Sequence, residues 1–330
     1  MGTRVRFNGQ GGAYFPAPHL PCFIPSGCAI LDQVLGGGWA ERRIINIVGD
    51  ESTGKTLLAV EAAANYAKKY PNANIYYNEV EESFDKRYFR SIGLPKRTIF
   101  IKGISTVEDL YERLLAVCDK GGRALWITDS LDALSDRAEM SRDIDKATYG
   151  GEKPKMLSKL FRMLVRKLKR SKVTVIIISQ TRDAIGITFG ERKRRAGGKA
   201  LDFYASQIVW LAVVKKIIRI VKLIKRPIGI LVKAKCKKNK VGRAYRECTF
   251  PILFDYGVDD IQASLDFLLE IKRLKSVGIG SRNDIRKYIK KVNLLPTLEF
   301  NKERERIFYI IKREWDRVES LFTPQRRKYE

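Results

Sequence analysis

The sequence predicts an α/β fold: a mainly parallel, twisted sheet with helices on both faces, a short N-terminal arm and a small helical C-terminal region. Three observations lead there. Short apolar runs alternate with longer amphipathic segments from Ile44 to Ile178, which is the pattern of strands joined by crossover helices. A glycine-bounded loop, Gly49 to Thr56, falls directly between one such run and one such segment. The 330 residues, 45% of them apolar, suffice for one large core plus an appendage.

Residues 1–30 are rich in Gly, Pro and aromatic side chains and show no period, so they read as an extended arm suited to oligomerisation. The core is expected over 31–263. Within it Ile44–Val48 is a buried strand and Lys55–Lys69 a helix; Ile75–Tyr77 begins a strand, followed by a helix around Phe84–Ile92. Thr98–Ile101 is a strand, Val107–Cys118 a helix with apolar residues three and four apart, and Ala124–Thr128 a strand. Pro154–Arg170 reads as a long basic helix and Val173–Ile178 as a strand. Beyond Leu201 the runs Ile208–Val214, Ile217–Ile224 and Ile228–Lys235 predict antiparallel strands, with Pro227 in a turn between the last two. Residues 264–330 return to helical spacing, over Leu265–Leu274, Arg282–Lys291 and Lys302–Phe322.

Charge is unevenly placed. The net charge is +27, yet residues 151–250 hold 28 basic and 5 acidic side chains while the other 230 hold 36 and 32. An ordinary body with one intensely basic stretch favours a localised polyanion site, nucleic acid before an anionic membrane. Five cysteines (Cys22, Cys28, Cys118, Cys236, Cys248) form no C-x-x-C pair and are odd in number, which suits buried free thiols in a reducing compartment. His19, Cys22 and Cys28 lack the fourth ligand of a structural zinc site. No apolar run reaches the ~18–20 residues of a membrane span, and the N-terminus lacks the layout of a secretory signal, so the cytoplasm is expected.

Gly49-Asp50-Glu51-Ser52-Thr53-Gly54-Lys55-Thr56 fits G-x-x-x-x-G-K-[ST] between a strand and a helix, the context this motif requires. Its glycines let backbone N–H groups wrap phosphates at a positive helix end. Lys55 is placed to reach the terminal phosphates of ATP, and the Thr56 hydroxyl to take a Mg²⁺ position. Asp129 ends the strand Ala124–Thr128 at the edge where ligands of parallel sheets collect, and is the second metal-side group, acting through water.

At this point the chain resembles the RecA/UvsX family of homologous-recombination ATPases. The resemblance lies in Ser26-Gly27, Leu31-Asp32 and Leu35-Gly36-Gly37-Gly38 before the loop, and in Asp129-Ser130-Leu131-Asp132-Ala133-Leu134. It lies most of all in the stretch from Gln180-Thr181-Arg182-Asp183 through Gly190, continuing from Gly197-Gly198-Lys199 to Ser206. It covers roughly residues 25–275. The family pattern implies that Glu81 activates the attacking water, with Glu79 and Glu82 as neighbours that a slip of alignment would select. It implies that Tyr88, following Asp85, stacks on adenine and that Gln180 couples the γ-phosphate to a DNA loop. Lys238 and Lys240 match a pair that reaches ATP bound to the adjacent subunit; taken alone such a lysine run is a solvated or DNA-facing edge.

The segment 181–199 is the second DNA-binding loop in this likeness. Arg182, Arg192, Lys193, Arg194, Arg195 and Lys199 suit phosphates, Gly197 and Gly198 allow close backbone approach, and Ile185 and Phe189 can wedge between bases. A first loop is expected around 141–155, one residue longer than the family's. The arm is shorter and richer in Pro and Gly than the bacterial pattern, and the end, Pro324 to Glu330, is basic where that pattern is acidic, which suggests a phage-encoded member. The resemblance implies a DNA-dependent ATPase that forms a helical homo-oligomer on single-stranded DNA, with ATP at the subunit interface and Mg²⁺ as cofactor. It further implies pairing with double-stranded DNA, single-strand-binding or loading proteins as partners, and no membrane. Two other readings stay open: a hexameric helicase or branch-migration motor, to which Lys238-Asn239-Lys240-Val241-Gly242 has a faint likeness, and a DNA-coating protein with vestigial hydrolysis.

Overall fold

The computed structural model describes residues 22–80, 85–135, 137, 152–183, 193–195 and 198–324, with the backbone alone at 152, 153, 169, 182, 183, 193–195 and 198. Its first elements are β1 (Phe23–Ile24), α1 (Ala29–Leu35) and β2 (Trp39–Ala40), with β1 antiparallel to β2. The alternating part follows: β3 (Ile44–Gly49), α2 (Lys55–Lys69), β4 (Asn74–Glu79), α3 (Lys86–Ser91), β5 (Ile99–Ile101), α4 (Val107–Lys120) and β6 (Arg123–Asp129). Next come α5 (Glu152–Arg170), β7 (Lys172–Asp183), β8 (Lys193–Arg195) and α6 (Gly198–Tyr204). The chain continues as β9 (Gln207–Val221), β10 (Ile224–Asn239), β11 (Arg246–Leu253) and β12 (Gly257–Val258), and closes with α7 (Asp260–Glu270), α8 (Ile285–Asn293) and α9 (Thr297–Leu321).

One ten-stranded sheet runs β12-β11-β10-β9-β3-β7-β6-β4-β5, with β8 hydrogen-bonded to the end of β7. Every pair from β9 to β5 is parallel; β10, β11 and β12 extend the sheet antiparallel. The parallel strands are mostly apolar because both faces are covered, with a few buried polar residues such as Asn46, which donates to the Ile177 carbonyl and Ser179 Oγ. Ile45, Ile47, Leu125, Ile127, Ile176 and Ile178 join the core under α1, α2, α7, α8 and α9. Ile44, Val48, Trp126, Val175 and Ile177 join the core under α4, α5 and α6. In α5 the buried stripe Leu157, Leu160, Phe161, Leu164 and Leu168 leaves Lys155, Lys159, Arg162, Arg166, Lys167 and Arg170 outward, which resolves how a strongly basic segment can be a core helix.

One expectation is overturned. Pro227 does not occupy a turn: the reversal lies at Lys222-Leu223, both with positive φ, and the first two apolar runs form the single strand β9. Pro227 lies inside β10 opposite Ile218, beside a register shift and beyond Gly229, the last residue of β10 that pairs with β11. A missing N–H is tolerated at such an edge bulge. The two strands therefore project past the sheet as a ribbon whose tip residue, Leu223, is 98% exposed. Its cations Lys215, Lys216, Arg219, Lys222, Lys225 and Arg226 make no ion pair among the described residues, and Arg219 stands directly opposite Arg226.

β11 and β12 have no counterpart in the sequence reading: β11 carries Pro251 within its eight residues, and β12 is only two residues long. Residues 22–30, read as part of the arm, contribute Ile24, Cys28, Ala29 and Ile30 to the core. Gln207, buried at the start of β9, ties α1 to the sheet: its Nε2 donates to the Leu35 and Gly38 carbonyls at 3.0 Å each, and its Oε1 accepts from Ala40 N–H at 2.9 Å. Cys28, Cys118 and Cys236 are buried, Cys248 half-buried and Cys22 exposed, all as free thiols.

Candidate nucleotide site

β3 ends at Gly49, and the chain turns through residues 50–54 into α2. Gly54 is the N-cap of α2 with φ +87, and a Cβ there would lie 2.4 Å from Ile252 Cδ1, so only glycine fits. Gly54 offers no side chain to cap this helix end, and the first amides of a helix are a ready site for an anion. The Asp50 carbonyl accepts from Thr53 Oγ1 at 2.9 Å and from Lys55 Nζ at 2.5 Å. Lys55 is only 7% exposed, so its ammonium is held against the loop that it would serve.

Residues 52–57 line one wall of a cavity of about 380 Å³ whose other walls include Tyr88, Phe89, Ile230, Ile252 and Phe254. One end is thus a helix N-terminus and the other is apolar and aromatic, the division a nucleotide presents between phosphates and base. Tyr88, 41% exposed, stands on α3. Asp85 caps that helix, its carboxylate accepting from Arg87 N–H at 2.8 Å and Tyr88 N–H at 3.3 Å, so it acts on the cavity by holding the backbone of Tyr88.

Thr56 Oγ1 donates to Asp129 Oδ2 at 2.8 Å, and the Tyr77 hydroxyl donates to the same oxygen at 2.9 Å. Burial, then the Asp129 charge, push the Tyr77 phenol well above its ordinary range, so it stays a proton donor. A hydroxyl and a carboxylate beside a phosphate-binding helix end are the hard oxygen donors that suit Mg²⁺. Among the described residues, no group of three or more His, Cys, Asp or Glu could hold a metal ion.

Gln180 pairs with Gly49 across β3 and β7, and its N–H donates to Asp132 Oδ2 at 2.7 Å. The next residue, Thr181, hydrogen-bonds through its hydroxyl to the Asp50 carboxylate. Thr181–Asp183 then pairs antiparallel with Lys193–Arg195. The Asp50 side chain therefore meets the strand that enters the expected DNA loop, while its carbonyl holds Lys55. Lys238 Nζ donates to the Asp202 carbonyl and, at 2.8 Å, to that of Phe203, which also accepts from Lys240 Nζ at 3.1 Å. Both lysines thus sit on the C-terminal end of α6, and neither lines the cavity.

Glu81, Ile185, Phe189, Arg192, Gly197 and residues 141–151 lie outside the described residues, and of Arg182, Lys193, Arg194, Arg195 and Gly198 only the backbone is described. Lys199 is exposed. Sequence reasoning missed Tyr77, Asp132 and Thr181. Tyr77 looked like one more apolar strand residue, and Asp132 and Thr181 stood only as letters of the family pattern, because their partners are distant in sequence.

The phosphate loop at a parallel sheet edge, joined through Thr56 to a strand-ending aspartate, defines a P-loop ATPase core. The family model for the RecA N-terminal domain matches residues 22–259. Protein RecA of Malacoplasma penetrans is 28% identical over 284 residues, covering 82% of this chain and 83% of that one. Protein RecA of Picosynechococcus is 32% identical over 74% of this chain and 68% of its own, and that of Syntrophus aciditrophicus 34% identical over 75% and 70%. The chain belongs to the RecA family and is a recombinase of that type. The helicase alternative is not favoured. No helix among the described residues is long and apolar enough to cross a membrane.

Proposed function

We propose that the chain is a DNA-stimulated ATPase that polymerises on single-stranded DNA and pairs it with a homologous duplex. The observation that carries this reading is Asp50, whose two ends join the phosphate loop to the strand entering residues 184–192. A shift of Lys55 toward a phosphate loosens its hold on the Asp50 carbonyl, and the same residue is tied to Thr181. Occupancy of the loop and order of the DNA segment are thereby linked through one residue.

Bound ATP with Mg²⁺ supplies the phosphoryl group and the divalent charge that offsets its anionic oxygens. The amides at the start of α2 and Lys55 hold the phosphates; Thr56 and Asp129 hold the cation, with Tyr77 fixing the orientation of Asp129. Tyr88 covers the base. Glu81, two residues after Glu79 in sequence, is assigned by the family likeness to orient the attacking water. Gln180, level with Gly49, senses the occupied loop. Lys238 and Lys240, side by side at the end of β10, touch the nucleotide of the neighbouring subunit. Arg182, Arg192, Lys193, Arg194, Arg195 and Lys199 take phosphates of DNA, with Gly197 and Gly198 permitting close approach and Ile185 and Phe189 separating bases.

Turnover measured with and without single-stranded DNA, together with negative-stain imaging in an ATP analogue, tests this reading. Stimulated turnover and continuous filaments are expected. Rings that unwind a forked duplex with one polarity would instead indicate a motor, and turnover indifferent to DNA would end the recombinase proposal.

A further inference from the structure

The segment that carries the intersubunit lysines is crowded with positive charge. Lys237, Lys238, Lys240, Arg243 and Arg246 fall within ten residues, and the adjacent Glu247 is taken at 2.6 Å by Lys233. The compensating carboxylate comes from the far end of the chain. Glu319, in the last turn of α9, accepts from Arg243 Nη1 at 2.6 Å and from both Nε and Nη2 of Arg246 at 2.6 and 2.7 Å. Its side chain is 16% exposed. The Arg246 and Arg243 guanidiniums hold its carboxyl below the usual carboxylate range, so the clamp is charged at neutral pH. Arg243 Nη2 also donates to Thr323 Oγ1 at 2.9 Å.

The rest of the turn is fixed from the opposite side. Asn239 Nδ2 donates to the Leu35 carbonyl at 2.9 Å, and Asn239 Oδ1 accepts from Val241 N–H at 3.1 Å. Gly242 approaches the end of α1 so closely that a Cβ on Gly36 would lie 3.2 Å from its Cα. Lys238 and Lys240 are therefore presented by a turn gripped between α1 and α9. Arg–carboxylate forks are the strong, directional member of such a grip. A lysine reaching across an interface loses its effect when misplaced by about 1 Å.

We infer that Glu319 is a positioning residue: through Arg243 and Arg246 it sets the turn that aims Lys238 and Lys240 at the neighbouring nucleotide. The C-terminal helix thereby takes part in the intersubunit step without touching ATP. This inference rests on the intersubunit reading of the two lysines given above.

The test is complementation in mixed filaments of the full-length chain. Glu319→Ala should bind a fluorescent ATP analogue as the unaltered chain does, yet hydrolyse ATP on single-stranded DNA about tenfold more slowly. Adding excess Lys55→Arg protomers, which cannot turn over but keep well-placed lysines, should restore hydrolysis by the Glu319→Ala phosphate loops. Lys238→Ala should behave identically, and a mixture of Lys238→Ala with Glu319→Ala should show no recovery. The charge exchange Glu319→Arg with Arg246→Glu, which keeps the pair with position 246 but gives up the one with Arg243, should recover part of the lost rate and guards against a simple folding defect.

Normal turnover by Glu319→Ala overturns the inference. So does a slow Glu319→Ala that Lys55→Arg protomers do not rescue while they do rescue Lys238→Ala, because the clamp would then only stabilise its own protomer. If Lys238→Ala itself turns over normally, the intersubunit reading fails, and the role of Glu319 falls with it; that result is distinct from the other two.

Discussion

Lys55 and the pair Lys238 and Lys240 are the same chemical group in the same kind of seat, an ammonium on backbone carbonyls, and yet they belong to different levels of structure. Lys55 sits on a carbonyl five residues away in its own loop and is nearly buried. Lys238 and Lys240 sit on carbonyls 35 to 37 residues away, at the exposed end of α6, on a turn aimed by α1 and α9. A local seat is a property of the motif and serves the protomer's own nucleotide. A seat assembled from distant elements can report on those elements, here α6 and the C-terminal helix.

The largest effect should come from the local seat. Lys55→Ala should lower turnover by about 10³-fold with the circular dichroism spectrum unchanged, since it removes the one cation inside the loop. A smaller loss would mean that the loop amides carry most of the phosphate binding. Alanine at Arg192, Arg194 and Arg195 together should weaken single-stranded DNA binding tenfold or more and flatten its salt dependence by roughly 0.7 in slope per lost phosphate contact. An unchanged slope would remove these arginines from the interface.

Thr181→Val keeps the shape of Thr181 but leaves the Asp50 carboxylate without that donor. Stimulation of hydrolysis by DNA should fall about fivefold, and by more than hydrolysis without DNA. Equal losses in both would show that Thr181 serves the loop alone. Tyr77→Phe should raise the Mg²⁺ concentration for half-maximal turnover about threefold, because the Asp129 oxygen loses the Tyr77 hydroxyl as an orienting donor.

The last comparison concerns stability rather than turnover. Burial pushes the Asp32 carboxyl up to about 8 from its usual 3.8. Between those values the folded chain holds a proton that the unfolded chain releases, so stability from this position is present at low pH and declines as pH rises toward 8. The thermal midpoint of Asp32→Asn, relative to the unaltered chain, should therefore rise from about pH 5 to about pH 9. A constant difference would place the Asp32 carboxyl in its ordinary range.

The parallel half of the sheet was readable because its signals are local. Ile44–Val48 is apolar but for the buried Asn46, whose amide nitrogen donates to β7, since both faces are covered, and Gly54 marks the helix start since its φ of +87 strains any L side chain. The antiparallel half was less so. Pro227 is a strong turn signal by itself, but the neighbouring strand left its nitrogen at an edge bulge, and the turn fell on Lys222 and Leu223, which carry no such signal. Tyr77 and Thr181 escaped for a related reason: their meaning lies in Asp129 and Asp50, 52 and 131 residues away.

The opening fold class, a parallel sheet around a phosphate loop, was determined by sequence alone, because spacing within a strand-loop-helix unit dictates it, and the same spacing is what proposes Lys55 and Thr56 for its chemistry. Only the tertiary structure decided that Tyr77 steers Asp129, that Asp50 meets Thr181, and that Glu319 from the last turn of the last helix holds the turn bearing Lys238 and Lys240. Those pairings depend on strand register and helix docking, which place charges next to each other regardless of their distance along the chain.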